Sequence, residues 1–451
     1  MKQIISSVKD TLRSVACLLA VVAVGCGMLA CHEDENLTIP IEPSYSDPEA
    51  DLAAFQQQLL AAPNGWDASL RPKNGKIYTL FMTIADAEVT LYADVDTTAA
   101  KTATRTGYTL ALSQSIHPSI TFADGSNLAR IPGGGKNAGV DQTYSYEYTR
   151  NDTVFLQGNQ YGDQLRMVKA SAETRAAYEG RQLRNAMKAV TGYLSTVHYL
   201  YLKPSEDVLI QFAVSTGSRG VYITYLHDGV KFFGSDYAYS LAGMHFENPL
   251  RVAGNTLQAI AWSESTRELS VQYNGTRLVL QKANIPVIPL HYLIGTEYQP
   301  GAAAPSPVLQ FLPGWSPKFR TLWTIDDDEA GDNEYYLYYV APGLNIKAST
   351  MELYVYYVNP QREYVAGKFQ YTYTKTADGV FDFTFVGIDD TLEGDRARAI
   401  APWIPNILTV LEDNRFRIEF FDAYEALGGV IPQFISVDDP DLYFTGLWFT
   451  P

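Results

Sequence analysis

Ile77-Tyr78-Thr79-Leu80-Phe81-Met82-Thr83-Ile84-Ala85-Asp86-Ala87-Glu88-Val89-Thr90-Leu91-Tyr92-Ala93-Asp94-Val95 is the stretch whose reading decides the fold. Its apolar, aromatic and β-branched residues recur at a spacing of two on either side of Ala85-Asp86-Ala87, which reads as two strands joined by a tight turn. The same pattern continues outward. Residues 108–112, 119–122, 144–149, 153–157 and 165–169 follow at meander spacing, with Asn151-Asp152 as a turn. Further on, residues 208–214, 221–226, 230–233, 257–262, 268–273 and 277–281 repeat it, and Asn274-Gly275 is the strongest hairpin signal in the chain. Short strands with frequent turn signals predict an all-β fold with minor helix: consecutive antiparallel meander barrels or sandwiches, of which a lipocalin-like barrel is one form.

Two helices interrupt the strands. Leu52, Phe55, Leu59 and Leu60 stand at helical spacing over residues 51–61, stopped by Pro63-Asn64-Gly65. Ser171, followed by Glu173, Tyr178, Leu183, Met187 and Val190, opens an inter-domain helix that Gly192 ends. The hairpin over 153–170 resembles that over 268–283: each is a strand, a Gly/Asn turn, a strand, then Lys-Ala. The first two domains are thus expected to end alike, with chance likeness between amphipathic hairpins as the alternative. Residues 286–317, rich in Pro, Ala and Gly, read as a further boundary. The remainder is strand-like and rich in tyrosine, with 442–449 as its closing strand. The expected division is a leader at 1–30, a tether at 31–48, and β domains at 49–192, 193–298 and 299–451.

The beginning of the chain carries a different signal. Lys2, Lys9 and Arg13 precede an uncharged apolar run over 15–29, the layout of a secretory signal peptide. That run falls short of the roughly 20 residues a spanning helix needs. Met28-Leu29-Ala30-Cys31 resembles a bacterial lipobox, which implies a lipidated Cys31 as the mature N-terminus; Cys26, after Ala23-Val24-Gly25, is the competing candidate. His32-Glu33-Asp34-Glu35 resembles the acidic export tag of surface-displayed lipoproteins. A plain solvated linker is the alternative.

Composition narrows the chemistry. The formal charge is −16, and residues 1–30 carry Lys2, Lys9, Arg13 and Asp10, a net +2, so the rest stands at −18. Such acidity without a basic cluster argues against nucleic-acid binding. Cysteine occurs only at 17, 26 and 31, so cleavage before Cys31 leaves no disulfide, thiolate zinc site or thiol nucleophile. Pro132-Gly133-Gly134-Gly135-Lys136-Asn137 lacks the first glycine and the Ser/Thr of a phosphate loop and reads as a mobile loop. Asp326-Asp327-Asp328-Glu329 begins like a calcium loop, but Ala330 and Leu337 stand at ligand positions, so a solvated acidic loop is the better reading. The histidines are scattered, and no catalytic motif, metal site or cofactor is expected.

Aromatic residues supply the only binding candidates: Trp315, Trp323, Tyr354, Tyr356, Tyr371 and Tyr373. Residues i and i+2 on a strand share a face, so Tyr354 with Tyr356, and Tyr371 with Tyr373, would form rows for sugar rings or flat ligands. Plain sheet packing is the competing account.

The lipobox, the acidic run, the lead-in Leu59-Leu60-Ala61-Ala62-Pro63-Asn64-Gly65-Trp66 and the strand-rich body resemble an uncharacterised family of Bacteroidota outer-membrane lipoproteins of unknown function. That resemblance implies a lipid-anchored protein on the cell surface, encoded beside a TonB-dependent transporter and its lipoprotein partner. A small molecule or glycan would be its ligand and nutrient uptake its setting. A surface hydrolase acting on a polymer, or a structural or adhesive surface protein, are the rival functions.

Overall fold

Alternating runs need a sheet with one face inside, and the computed structural model provides three. It describes residues 47–114, 116–294, 301–305 and 311–449. The leader, most of the tether, Cys31 and His32, Glu33, Asp34 and Glu35 lie outside the described residues.

The chain enters through helix α1 (Pro48–Leu60). The first sheet comprises β1 (Trp66–Arg71), β2 (Tyr78–Ala85), β3 (Glu88–Ala93), β4 (Thr104–Ser113), β5 (His117–Phe122), β6 (Thr143–Arg150), β7 (Thr153–Gly158) and β8 (Gln164–Lys169). Each pairs with the next, and β8 returns to β1 with Lys169 opposite Trp66, closing the barrel and removing its edges. Val89, Leu91 and Ala93 are fully buried on alternate positions of β3. Asn151 and Asp152 both take positive φ, 49° and 58°, as the tight turn of a two-residue hairpin requires.

The lead-in motif has a mechanical reading. Phe55 and Leu59 of α1 join the barrel core, and the Trp66 indole donates to the Leu59 carbonyl at 3.0 Å. Gly65, at φ 85°, lies so close to β2 that a Cβ would stand 2.6 Å from the Met82 carbonyl oxygen. Helix, turn and first strand are therefore locked together.

The loop over 131–139, expected to be mobile, is pinned instead. Ile131 and Val140 are buried. A Cβ on Gly134 would stand 1.8 Å from the Lys73 carbonyl oxygen, so the glycines serve backbone-to-backbone packing. Asp163 accepts from the amides of Lys73 and Asp141, both at 2.8 Å. Asp141 in turn accepts from Gln160, Tyr161 and Asp163. Two buried carboxylates thus tie three loops by satisfying their amides.

The connecting helix is two helices, α2 (Ala172–Glu179) and α3 (Gln182–Leu194), broken where Arg181 adopts φ 64°. Ser171 caps α2 by accepting from the Thr174 amide at 3.1 Å. The second sheet runs β9 (Tyr199–Ser205), β10 (Val208–Ser215), β11 (Gly220–Leu226), β12 (Val230–Ser240), β13 (Gly243–Val252), β14 (Asn255–Ser263), β15 (Glu268–Tyr273), β16 (Thr276–Val279) and β17 (Gln281–Ala283). Only Leu280 separates β16, which pairs with β15, from β17, which pairs with β9. The last strand therefore closes on the first, as in the first barrel, and the two similar hairpins occupy the same place in their sheets.

The third sheet repeats this closure. It comprises β18 (Gly301–Pro305), β19 (Tyr336–Asn345), β20 (Thr350–Val358), β21 (Tyr364–Lys375), β22 (Val380–Gly387), β23 (Phe416–Ala423), β24 (Gly429–Ser436), β25 (Tyr443–Thr445) and β26 (Leu447–Phe449). The closing strand breaks at Gly446: β25 pairs with β24 and β26 with β18. Its first strand lies within the segment expected to be a boundary.

Helices α4 (Pro317–Asp332), α5 (Leu392–Ile400), α6 (Pro405–Glu412) and α7 (Tyr424–Leu427) are inserted in this part. The acidic run at 326–329 is accordingly part of α4, correcting the expected loop. Ser316 caps α4 by accepting from the Phe319 amide at 3.1 Å. Asp326, fully buried, accepts from the Ile407 amide at 2.6 Å and the Asn406 side chain at 2.7 Å, so it caps α6.

Residues Asp51–Pro451 form one compact unit. Between the first two barrels, the Arg219 guanidinium reaches buried Asp94 at 2.8 Å and lies 4.5 Å from the Tyr78 ring centre. Asp94 also accepts from the amides of Thr79 and Tyr239. Burial pushes its carboxyl above the usual range while Arg219 pulls it back. Phe81, outside the first barrel, stacks on Tyr178 of α2 at 4.6 Å. The second and third barrels meet through Leu209, Leu226, Val230 and Phe232.

Candidate functional site

The six aromatic candidates separate by face. Trp315 and Trp323 are buried in the third core, 5.2 Å apart between ring centres. The Trp315 indole donates to the Thr445 carbonyl at 2.8 Å, tying the start of α4 to the closing strand. Tyr371 and Tyr373 lie on the inner face of β21, buried with Phe369. Tyr354 and Tyr356 point outward from β20, between buried Leu353, Val355 and Tyr357. The two predicted tyrosine rows thus lie on opposite faces of one sheet, and only Tyr354 and Tyr356 are within reach of a ligand outside it.

Around these two the structure gathers tyrosines that the sequence reading left aside. The register slips in β19: Leu337 faces Tyr357 but Tyr339 faces Tyr356, leaving Tyr338 as the extra residue of a bulge. Tyr338 and Tyr339 consequently both reach the outer side. Tyr339 stacks on Tyr356 at 4.4 Å, and Tyr356 lies 6.0 Å from Tyr364 and 6.3 Å from Tyr354. Tyr338 meets Tyr364 edge-on, at 5.3 Å and 83°. Ala366 stands opposite Tyr356, and its small side chain leaves space for the rings. Tyr338 and Tyr364 remain 39% and 54% exposed.

The ring geometry sets what this row offers. Rings in near-parallel contact on adjacent strands spend their faces on one another, so Tyr339 and Tyr356 present edges and hydroxyls outward. Tyr338 and Tyr364, at the end, keep the largest open area. Burial, with neighbouring phenols, pushes the Tyr339 hydroxyl up to about 12; burial also raises that of Tyr356. Both are neutral donors at physiological pH.

Charges rim the row. The Tyr354 hydroxyl donates to Glu352 at 2.7 Å, and Lys368 reaches Asp389 at 2.9 Å and Glu352 at 3.7 Å. Hydrogen bonds from Thr391 and Lys368 hold the Asp389 carboxyl down at about 2. Arg362 lies 5.3 Å from the Tyr336 ring centre. The arrangement can donate and accept many hydrogen bonds around a narrow aromatic strip.

Inside the third barrel, Phe319, Trp323, Leu353, Ile407 and Phe444 line a cavity of about 30 Å³, room for roughly two waters. It is too small for an organic ligand. Among the described residues, no three or more of His, Cys, Asp and Glu come together as a metal site, and no helix is long and apolar enough to cross a membrane.

No curated protein matches the chain. Solved structures with some likeness include a DNA polymerase sliding clamp from Pseudomonas aeruginosa, at 8% identity over 90% of this chain and 98% of the clamp, with a TM-score of 0.13. A DUF3598-family protein of unknown function from Nostoc punctiforme PCC 73102 shows 9% identity over 69% of this chain and 96% of its own, with a TM-score of 0.14. A putative AttH from Nitrosomonas europaea shows 8% identity over 84% and 89%, with a TM-score of 0.12. TM-scores this low carry no argument about the present chain. Over residues 48–264, from α1 through the first barrel and most of the second, the chain matches the domain of unknown function DUF4302.

Proposed function

We propose that this is a lipid-anchored outer-membrane protein, displayed on the cell surface, that captures a ligand for a nutrient-uptake system. The observation that carries the binding role is the exposed strip Tyr338–Tyr364–Tyr356–Tyr354, in which each ring touches the next. Aromatic side chains with polar tips lose little conformational entropy on binding and act as anchors when water is excluded around them. A rim of Glu352, Lys368, Asp389 and Arg362 suits a hydroxyl-bearing ligand better than a lipid. The leader, Cys31 and the acidic run His32-Glu33-Asp34-Glu35 support the anchoring and display. A TonB-dependent transporter and its lipoprotein partner are the expected recipients.

The test is a screen of glycans, peptides, haem and siderophores against the purified full chain. Tyr356→Ala should weaken at least one of the ligands found by about 1–3 kcal/mol. Failure of every class to bind would remove the capture role.

A further inference from the structure

A second site lies at the rim of the second barrel. Trp262 ends β14 half-buried, and two contacts fix its indole. The Nε1–H donates to Glu264 at 2.8 Å, and Tyr193 of α3 packs against the ring at 5.6 Å and 67°. Its backbone amide donates to the Ala242 carbonyl at 2.7 Å, so the strand end bearing the indole is held to the neighbouring hairpin as well.

Opposite stands α3. Gln182, Asn185, Ala186 and Ala189 recur at i, i+3, i+4 and i+7, so one stripe of the helix faces the indole. The two alanines are small where a larger residue would fill the space, and a groove of about 910 Å³ remains between helix and rim. Gln182 bridges its walls by donating to the Leu241 carbonyl at 3.2 Å. A rigid indole, two carboxamides and one charge of each sign, Lys188 and Glu264, line the opening.

We infer that this groove binds one ring of a neutral saccharide. An indole offers apolar surface to the C–H face of a sugar, and carboxamides match hydroxyls as both donors and acceptors. The balanced charges favour neither an anion nor a cation. Because Trp262 is already oriented by Glu264 and Tyr193, little side-chain freedom remains to be lost on binding. The groove is independent of the tyrosine strip and falls within the part of the chain similar to DUF4302.

The test is calorimetric titration of the full chain with neutral gluco-, xylo-, manno- and malto-oligosaccharides at up to millimolar concentration, beside a sialylated glycan and a tetrapeptide. At least one neutral sugar should bind. Trp262→Ala should weaken it about tenfold or more, and Ala189→Trp, which fills the groove from a partly exposed helix position, should do the same with the fold intact by circular dichroism. Tyr356→Ala should leave this affinity unchanged. The inference is overturned if no neutral sugar binds, if only the charged glycan or the peptide binds, or if Ala189→Trp leaves the affinity as it was. A loss confined to Tyr356→Ala would assign sugar binding to the tyrosine strip and likewise overturn the groove.

Discussion

The first and third barrels share a strand order but differ in how they are closed and filled. In the first, eight strands pair in continuous succession and α1 adds Phe55 and Leu59 to the interior. In the third, β22 and β23 pair only at Val380–Arg417 and Phe381–Phe416. Helices α5 and α6 are inserted between those two strands, and Ile400, Ile407 and Val410 complete the core. One barrel is held by its ladder, the other by helices that substitute for it. The tyrosine strip lies on the helix-supported barrel, on β19–β21, whose ladders are long. Helix α5 packs on the inner side of the same sheet, where a Cβ on Gly367 of β21 would stand 2.8 Å from Ala397 and the Tyr357 hydroxyl donates to the Arg396 carbonyl at 2.8 Å, so helix and ladder together hold the strands that bear the strip.

The largest effect should come from the polar contact beneath the first barrel. Asp94→Ala removes the carboxylate facing Arg219 and orphans the amides of Thr79 and Tyr239. The expected cost is about 3–5 kcal/mol, typical of breaking a buried ion pair from one side, read by urea denaturation. If the first two barrels unfold together, the single transition should shift without splitting. A loss under 1 kcal/mol would mean that water reaches the pair.

Asp326→Ala tests the third barrel in the same way. It deprives α6 of a buried cap and should cost about 2 kcal/mol. Because this barrel relies on its helices, amide exchange should accelerate in 392–412 ahead of β19–β21. Uniform acceleration would show that the helices and the sheet open as one.

The smallest effect is that of pH. Burial raises the carboxyls of Asp67, Asp163 and Asp326 above 3.8, so the folded state holds their protons more tightly than the unfolded. Their contribution is fully present below 3.8 and lost as pH rises through the folded values. Asp389, Asp438 and Asp439 are lowered by Thr391 and Lys368, Arg415, and Lys318 respectively; their contribution is present above 3.8 and lost as pH falls through their folded values. The melting temperature should therefore rise modestly as pH falls toward 3.8 through the folded values of the raised carboxyls, and fall again below 3.8 as Asp389 nears its folded value of about 2. A steady fall from pH 8 downward would contradict this balance.

Much of the fold was legible because every barrel strand turns one face inward, which writes a period of two into the chain. Asn274-Gly275 adopts the positive φ values, 50° and 71°, that its residues announce. The helices of the third barrel were missed although Ser316-Pro317 is a sound helix start and Phe319, Trp323 and Ala330 recur on its buried side. The acidic run masks that helix: Asp326 is fully buried and Asp327 half-buried, but nothing in four consecutive carboxylates separates them from exposed Asp328 and Glu329. Period two also tells which residues of one strand share a face, but not which faces of two strands coincide. Tyr354 and Tyr371 needed the register for that. The bulge at Tyr338 and the meeting of α3 with Trp262 are tertiary facts with no local signature.

The central claim is that the outer strip binds while the inner aromatics only support it. The measurement that tests it most directly is the affinity of a ligand insensitive to Trp262→Ala in Tyr356→Ala beside Tyr371→Phe, an inner residue whose buried hydroxyl has no hydrogen-bond partner among the described residues. The account predicts a loss of about tenfold or more for Tyr356→Ala and none for Tyr371→Phe, with both variants folded by near-ultraviolet circular dichroism. Unchanged affinity in Tyr356→Ala, or an equal loss in Tyr371→Phe, would contradict it.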